Sequence, residues 1–168
     1  MMGAGKTTVG RLLAQSIGFE FIDVDREIES RSGVRIPTIF EIEGEAGFRR
    51  REAALLDELT GRERLVLATG GGAVLDPQSR QRLRERGLVI YLRASADEVY
   101  RRTRKDRMRP LLQTDDPRAR IEQLLVEREP LYAETAHLTL QSAASNPKRL
   151  VERLLARDEV RAVIAGAP

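Results

Sequence analysis

The opening segment MMGAGKTTVGRLLAQ constrains the fold most strongly, because a glycine-containing loop leads directly into a helical pattern. Its residues Gly3-Ala4-Gly5-Lys6-Thr7 match the second half of the phosphate-binding pattern G-x-x-x-x-G-K-[ST]. Such a loop turns backbone N–H groups toward phosphates, the lysine reaches the terminal phosphates, and the hydroxyl can bind Mg²⁺. A merely flexible terminus does not explain the apolar stripe that follows at Val9, Leu12, Leu13 and Ile17. The sequence therefore predicts a nucleotide-phosphate site here.

Four short apolar runs predict strands, at residues 19–24, 65–68, 88–92 and 137–140. Helical patterns separate them, and a last helix is predicted over 147–157, followed by a loosely held tail. Strands that alternate with helices predict an α/β fold of three layers, with a mostly parallel sheet and helices on both faces. We expect one domain over residues 1–168, with ligands bound beyond the carboxyl ends of the strands.

Local signals mark several helix boundaries. Asp76 and Asp116 each precede a proline, which is typical of an N-cap followed by the first helical residue. The segment 95–98 fits a capping box. We also expect the helix that carries Arg128 to end at Pro130.

The complete phosphate-loop pattern has a further glycine and a buried strand ahead of the residues seen here, where the sequence has Met1. We therefore expect that the chain lacks a first, central strand. Five buried apolar side chains at roughly 1.5–3 kcal/mol each would rival the whole stability of a domain, about 5–15 kcal/mol. We expect residues 1–168 alone to fold poorly and to turn over little ATP, and measurements of unfolding and turnover would test this.

Residue types that the chain lacks exclude several functions. There is no cysteine, so disulfides, thiolate metal sites and a cysteine nucleophile are excluded. No apolar run reaches the roughly 18 residues of a membrane span, and no apolar signal segment opens the sequence, so we expect a cytoplasmic protein.

Two acidic residues end the first predicted strand. Asp23 and Asp25 are two residues apart, so on a strand they would point to the same side. At a carboxyl end they could serve Mg²⁺ and a substrate hydroxyl. The alternative is a turn in which Asp25 caps the next helix.

Two further motifs suggest an anion site. In GFRRRE, Arg49 and Glu52 are three residues apart and neighbours on one helix face, although spacing alone favours a surface ion pair. In ATGGG, Gly70, Gly71 and Gly72 follow a predicted strand and leave room for a ligand beside the backbone, the alternative being a flexible loop.

Two arginine-bearing segments come later in the chain. RKDRMRPLLQTDD predicts a mobile lid that brings an arginine over the phosphates. VEREPLY offers Arg128 near the edge of the sheet where ligands bind. Either arginine could instead be simply solvated.

The segments MGAGKTT, DVD, GFRRRE, ATGGG, RPLL and REPLY, in this order and approximate spacing, resemble those of shikimate kinases. The resemblance runs from Met2 to about Leu155. It implies a nucleoside-monophosphate-kinase-like P-loop fold with five parallel strands, four of them visible here. It also implies ATP- and Mg²⁺-dependent phosphorylation of the 3-hydroxyl of shikimate in aromatic amino-acid synthesis, with substrate-binding helices at about 25–60 and a lid at about 105–116.

Residue roles carried over from the resemblance fall into two groups. For the nucleotide, it implies that Lys6 contacts the phosphates, Thr7 binds Mg²⁺ and Asp23 meets the metal through water. Arg109 resembles the lid arginine over the transferred phosphate. The implied ATP-binding residues are Gly3, Ala4, Gly5, Lys6, Thr7, Thr8, Arg102, Arg109 and Pro147, with Arg102 and Pro147 enclosing the adenine.

For the acid, the resemblance implies that Asp25 holds the reacting hydroxyl. Arg49 and Arg128 resemble the pair that grips the shikimate carboxylate, and Glu52 steadies Arg49. Gly70, Gly71 and Gly72 line the substrate site. The catalytic residues are then Lys6, Asp25 and Arg109.

Three other functions are weighed against this one. Another kinase of the same fold, such as a gluconate kinase, would share the loop and lid but has less need of two arginines. A regulatory guanine-nucleotide switch would use an Asn-Lys-x-Asp segment, which the sequence lacks. A nucleic-acid binder is suggested by a pI of about 9.7 and by Arg80, Arg82, Arg84 and Arg86, but alternate residues spread around a helix, which favours a solvated face. We expect ATP and shikimate as partners of a monomer, without nucleic acid or membrane.

Overall fold

The computed structural model describes residues 1–106, 109–142 and 146–166 of the 168-residue chain. The predicted lid, about 105–116, thus lies partly outside the described residues, at positions 107 and 108. Within the described ranges, none of the helices combines the length and the apolar character that crossing a membrane requires.

Strands and helices alternate along most of the chain, which confirms the predicted α/β class. The strands are β1 Glu20–Asp23, β2 Leu65–Ala68, β3 Ile90–Arg93 and β4 Leu138–Gln141. The helices are α1 Lys6–Ile17, α2 Val24–Ser32, α3 Ile36–Leu59, α4 Pro77–Arg86, α5 Ala96–Thr103, α6 Pro117–Thr135, α7 Pro147–Leu155 and α8 Asp158–Gly166. A 3₁₀ turn at Pro110–Leu112 lies between α5 and α6.

The strands pair in parallel, but in two separate sheets rather than the single sheet predicted. β1 pairs with β2, and Asp23 lies opposite Ala68, whereas β3 pairs with β4, and Ile90 lies opposite Leu138. A cavity of about 560 Å³ is lined by residues of both β2 and β3. Among the described residues, β2 and β3 are not hydrogen-bonded to each other.

The buried apolar side chains form two clusters. The first packs α1 against β3, β4 and helices α5 to α8, and includes Leu13 and Leu154. The second lies under α2 and α3 and includes Ile39, Leu56 and Leu59. Full burial of each such side chain stabilises the fold by roughly 1.5–3 kcal/mol. The two clusters therefore hold α1 and helices α5 to α8 on one side, and α2 and α3 on the other, in fixed positions.

The predicted helix starts are confirmed. The carboxylate of Asp76 accepts a hydrogen bond from the Ser79 amide at 2.8 Å, and that of Asp116 accepts one from the Ala119 amide at 3.0 Å. Ser95 caps α5 in a full capping box, because Glu98 also accepts from the Ser95 amide at 3.0 Å. Each of these caps joins a side chain to a backbone amide three residues later, so the spacing of residues in the sequence is enough to predict it.

Two predicted ends are wrong. Helix α6 continues through Pro130 to Thr135, because the proline removes only one backbone donor while the buried Tyr132 and Thr135 hold the next turn in the core. The residues after α7 are not a loose tail but form α8, whose Val160 is buried against the first cluster.

Candidate functional site

The phosphate loop has the backbone shape that the pattern predicts. Gly3 and Gly5 have φ values of 66° and 90°, a left-handed conformation that favours glycine. Helix α1 begins at Lys6, and its N-cap Gly5 supplies no side-chain hydrogen bond. The first-turn N–H groups therefore lack a side-chain cap and suit an anion.

Lys6 joins the loop to two other predicted catalytic residues. Its Nζ donates to the Met1 carbonyl oxygen at 2.6 Å. Burial lowers the pKa of Lys6, the nearby Asp25 carboxylate opposes that change, and the Arg109 guanidinium adds to it. The structure therefore brings Lys6, Asp25 and Arg109 within electrostatic reach of one another.

Thr7 and Asp23 lie together, as their predicted metal roles require. The Thr7 hydroxyl donates to the Asp23 carboxylate at 2.6 Å. Hydroxyl and carboxylate oxygens are donors that Mg²⁺ accepts, and this ion usually keeps several waters and substrate phosphates. The residues thus fit Mg²⁺, although no group of three or more His, Cys, Asp or Glu suited to a metal occurs in the part of the chain that the structure describes.

The strand geometry assumed for the two aspartates is wrong. β1 ends at Asp23, which caps α2 by accepting from the Arg26 amide at 3.4 Å. Asp25 therefore lies in the first turn of α2 rather than on a strand. Burial raises the pKa of Asp25, the Asp23 carboxylate adds to the rise, and Lys6 and Arg109 counteract it. The helix start, not strand alternation, directs Asp25 toward the lysine.

Arg49 and Glu52 form an ion pair in which Glu52 is buried and Arg49 is half-buried, so it is not the surface ion pair that spacing favoured. Arg49 Nη1 donates to a Glu52 oxygen at 2.6 Å, and Glu52 is only 2% exposed. Burial raises the pKa of Glu52, and the Arg49 charge opposes the rise. On its outer side Arg49 also donates to Glu45 at 2.8 Å. Helix α3 buries this face against the second cluster and the turn after β2, which spacing alone cannot reveal.

The glycine run after β2 lies directly against these charged groups. A Cβ at position 70 would overlap Glu52 Oε1 and approach Asp25 Oδ1 to 3.0 Å, and one at position 72 would overlap the Arg49 guanidinium. The predicted room beside the backbone exists, but protein side chains already use part of it. We define residues 70–72 as the glycine turn.

Arg128 is the other half of the predicted acid clamp, and it is not solvated. It lies on α6 with 3% exposure, and its Nε and Nη1 have no hydrogen-bond partner among the described residues. Glu52 Oε1 is likewise without a partner there. A buried cation with unpaired donors is costly unless an anion binds it. Arg128 and Arg49 both act on the pKa of Glu52, so the two guanidiniums converge.

Of the residues predicted to bind the adenine or to belong to the lid, Arg102 contacts the phosphate loop directly. Arg102 donates to the Gly3 carbonyl at 3.0 Å and to the Ser142 hydroxyl and carbonyl at 3.1 and 3.0 Å. Pro147 is the first residue of α7. Arg109 precedes the 3₁₀ turn and donates to Asp106 at 2.8 Å. The segment between Ser142 and Pro147 includes positions 143–145, which lie outside the described residues.

The arginines of α4 lie on a partly solvated face, with Arg84 and Arg86 exposed, and they also contact the neighbouring helices. Arg86 and Arg82 contact the Asp57 carboxylate at 2.8 and 3.0 Å, and Arg84 donates to the Glu134 carbonyl. Arg80 pairs with Glu134 at 3.4 Å. These contacts account for the arginine series through packing of α4 on α3 and α6.

Comparison with known proteins gives one consistent result. A family model described as shikimate kinase matches residues 2–159. The chain is 62% identical to the shikimate kinase of Bordetella pertussis over 155 residues, covering 92% of this chain and 74% of the relative. It is 54% identical to that of Burkholderia pseudomallei, covering 98% and 90%. A solved shikimate kinase from Acinetobacter baumannii in complex with shikimate is 49% identical, with a TM-score of 0.90 over 92% of this chain and 86% of that one.

Proposed function

The chain belongs to the shikimate kinase family, and we propose from this premise that it transfers the γ-phosphate of ATP to the 3-hydroxyl of shikimate. The observation that carries the proposal is Arg128, a buried guanidinium with two unpaired donors that faces the Arg49–Glu52 pair. Paired arginines suit a carboxylate, because each planar fork can donate two parallel hydrogen bonds. A gluconate kinase is set aside by the family assignment.

In this proposal the nucleotide side neutralises charge. Phosphoryl transfer passes through a loose transition state, so positioning and charge neutralisation matter more than strong base catalysis. Lys6 offsets charge on the terminal phosphates, and Arg109 moves from Asp106 to the transferring group. The N–H groups of residues 3–8 hold the phosphates, and Arg102 and Pro147 enclose the adenine.

Mg²⁺ is the cofactor we propose, held by Thr7 and, through water, by Asp23. When bound, the ion would supply positive charge that offsets the negative charge of the phosphates. The hydrogen bond between these two side chains, at 2.6 Å, keeps their oxygens adjacent.

On the acid side, Asp25 orients the 3-hydroxyl and accepts its proton. Its carboxylate lies beside Gly70 and within the field of Lys6, between the proposed phosphate and acid positions. Arg49 and Arg128 grip the substrate carboxylate, Glu52 steadies Arg49, and the glycine turn lines the site. We propose that the acid-binding helices span about 25–60 and that the lid at about 105–116 excludes water on closing.

The direct test offers the purified chain MgATP with shikimate, with gluconate, or with no acid. Of the three mixtures, we expect only MgATP with shikimate to release ADP and to form a phosphorylated acid, which mass spectrometry identifies. Because each rate is compared with the no-acid rate of the same sample, a low absolute turnover does not obscure the result. Gluconate-dependent turnover, or a folded chain with no shikimate-dependent ADP release, would refute the proposal.

Replacing Arg128 with alanine is expected to raise the KM for shikimate by about 10- to 100-fold, because a charged hydrogen-bonding partner contributes about 1.5–3 kcal/mol. The KM for ATP should change less than twofold. Steady-state kinetics checks this, with Arg118→Ala as the control, since Arg118 is an exposed arginine of the same helix that pairs with Asp97. An unchanged KM for shikimate would remove Arg128 from the acid site.

We further propose a monomer that works in the cytoplasm, where ATP is supplied, and that residues 1–168 act as one kinase domain. Sedimentation equilibrium checks the first statement, because a dimer would give twice the chain mass of 18.9 kDa.

A further inference from the structure

We infer that Tyr132 is a positioning residue for the acid site, and that it acts by fixing the carbonyl of Gly71 in the middle of the glycine turn. This inference deepens the proposed function and rests on it. The Tyr132 hydroxyl donates to the Gly71 carbonyl oxygen at 2.6 Å, across a sequence separation of 61 residues. The Met1 Sδ atom lies 3.8 Å from the same hydroxyl oxygen.

The glycine turn needs an external anchor. It carries no side chains, and glycine has more backbone freedom than any other residue. Its own described backbone bonds are confined to the outer residues, from the Ala73 amide to the Gly70 carbonyl at 3.4 Å and from the Leu75 amide to the Gly72 carbonyl at 2.9 Å. The central carbonyl is instead held by Tyr132.

The two neighbours of Gly71 contact the charged groups of the site. The Gly70 backbone lies against Glu52 and Asp25, and the Gly72 backbone lies against the Arg49 guanidinium. At both positions the backbone lies so close to these side chains that a Cβ would not fit. A small shift of the turn would therefore change the space that the side chains occupy. One hydrogen bond at Gly71 therefore controls the positions of both contacts.

Tyr132 is itself rigidly placed. Its side chain is 6% exposed and stacks on Tyr91, with ring centroids 4.9 Å apart. The Tyr91 hydroxyl donates to Glu129 at 2.6 Å, which fixes the second ring. Burial raises the pKa of Tyr132, so its hydroxyl remains a donor at neutral pH. Tyr132 also lies one helical turn after Arg128, so one segment of α6 carries both the clamp and the anchor.

Tyr132→Phe tests the inference, because it keeps the stacked ring and removes the hydroxyl, which donates to the Gly71 carbonyl and also interacts with the Arg128 guanidinium. We expect the KM for shikimate to rise about tenfold, because the acid then binds to a glycine turn that it must first order. The KM for ATP should stay within twofold. Isothermal titration of shikimate into the chain should show the same tenfold loss of affinity without any turnover.

Tyr91→Phe is the matched control. It removes a buried tyrosine hydroxyl from the same ring pair but leaves the bond to Gly71 in place. A purely structural role of the ring pair would lower the melting temperature of both variants and leave both KM values for shikimate unchanged. That outcome overturns the inference, as does an equal rise in the KM for ATP. If the unmodified chain neither binds nor phosphorylates shikimate, the proposed function fails instead, which separates the two.

Discussion

Replacing Lys6 with alanine is expected to lower kcat by about 10²–10³-fold, the usual cost of removing one preorganised charge partner of the transferring group. Lys6 begins α1 at the phosphate loop, and its ammonium is held at 2.6 Å from the Met1 carbonyl. An interaction that strengthens as charge develops acts on kcat more than on binding. The KM for ATP should therefore change by less than tenfold.

Steady-state kinetics with ATP and shikimate varied separately measures this effect. Lys148→Ala is the control, because Lys148 is an exposed lysine in the first turn of α7. Burial lowers the pKa of Lys6, so its charge does not favour the folded state and the variant should melt no lower than the parent chain. A rise in the KM for ATP with an unchanged kcat, or a loss of activity that simply follows unfolding, would contradict the role given to Lys6.

Asp25→Asn is expected to reduce kcat by about 10²–10⁴-fold, the range typical of a lost proton acceptor. Asparagine keeps the shape of the side chain but cannot accept the hydroxyl proton. Activity of the unmodified chain requires the ionised carboxylate. Because burial raises the pKa of Asp25, kcat/KM should already fall as the pH drops through a value above that of an ordinary aspartate, and the variant should lack this fall.

The stability of the Asp25 variant separates chemistry from folding. When folding raises the pKa of a carboxyl group, the folded protein becomes less stable as the pH rises from the unfolded-state pKa to the folded-state pKa. This loss of stability persists at every pH above both values. Removing the charge should therefore leave the chain at least as stable at neutral pH. Asp97→Asn, at an exposed aspartate of α5, is the control for loss of one negative charge. A kcat that is unchanged in Asp25→Asn would exclude Asp25 as the proton acceptor.

Features set by near neighbours in the sequence could be predicted, and features set by distant packing could not. The caps at Asp76, Ser95 and Asp116 rest on spacings of a few residues and are confirmed, as is the helix that begins directly after the loop at residues 3–7. Spacing could place Arg49 beside Glu52 but could not show that the glycine turn packs against both. The sequence predicts a strand to residue 24, whereas β1 ends at Asp23. It ends there because Asp23 is the N-cap of α2, which begins at the next residue.

Tyr132 shows what sequence analysis overlooked at the site. It belongs to the REPLY segment, and its place four residues after Arg128 put it on the same helix face. Because the sequence predicts that the helix ends at Pro130, it does not place Tyr132 on the same helix as Arg128. A proline in a helix whose next turn is apolar is compatible with continuation, because only one backbone bond is lost. The partner of Tyr132, 61 residues away, could be found only from the folded chain.

The contact between Arg49 and Glu45 affects how much Arg49 and Arg128 each contribute to binding the acid. Glu45 already occupies the outer edge of Arg49, at 2.8 Å. An incoming acid therefore exchanges one anion for another there, and most of the Coulomb gain cancels. Arg128 Nε and Nη1 have no hydrogen-bond partner among the described residues, although the Glu52 carboxylate lies within electrostatic reach of this guanidinium. The new hydrogen bonds to the ligand then come mainly from α6, while Arg49 exchanges one partner for another.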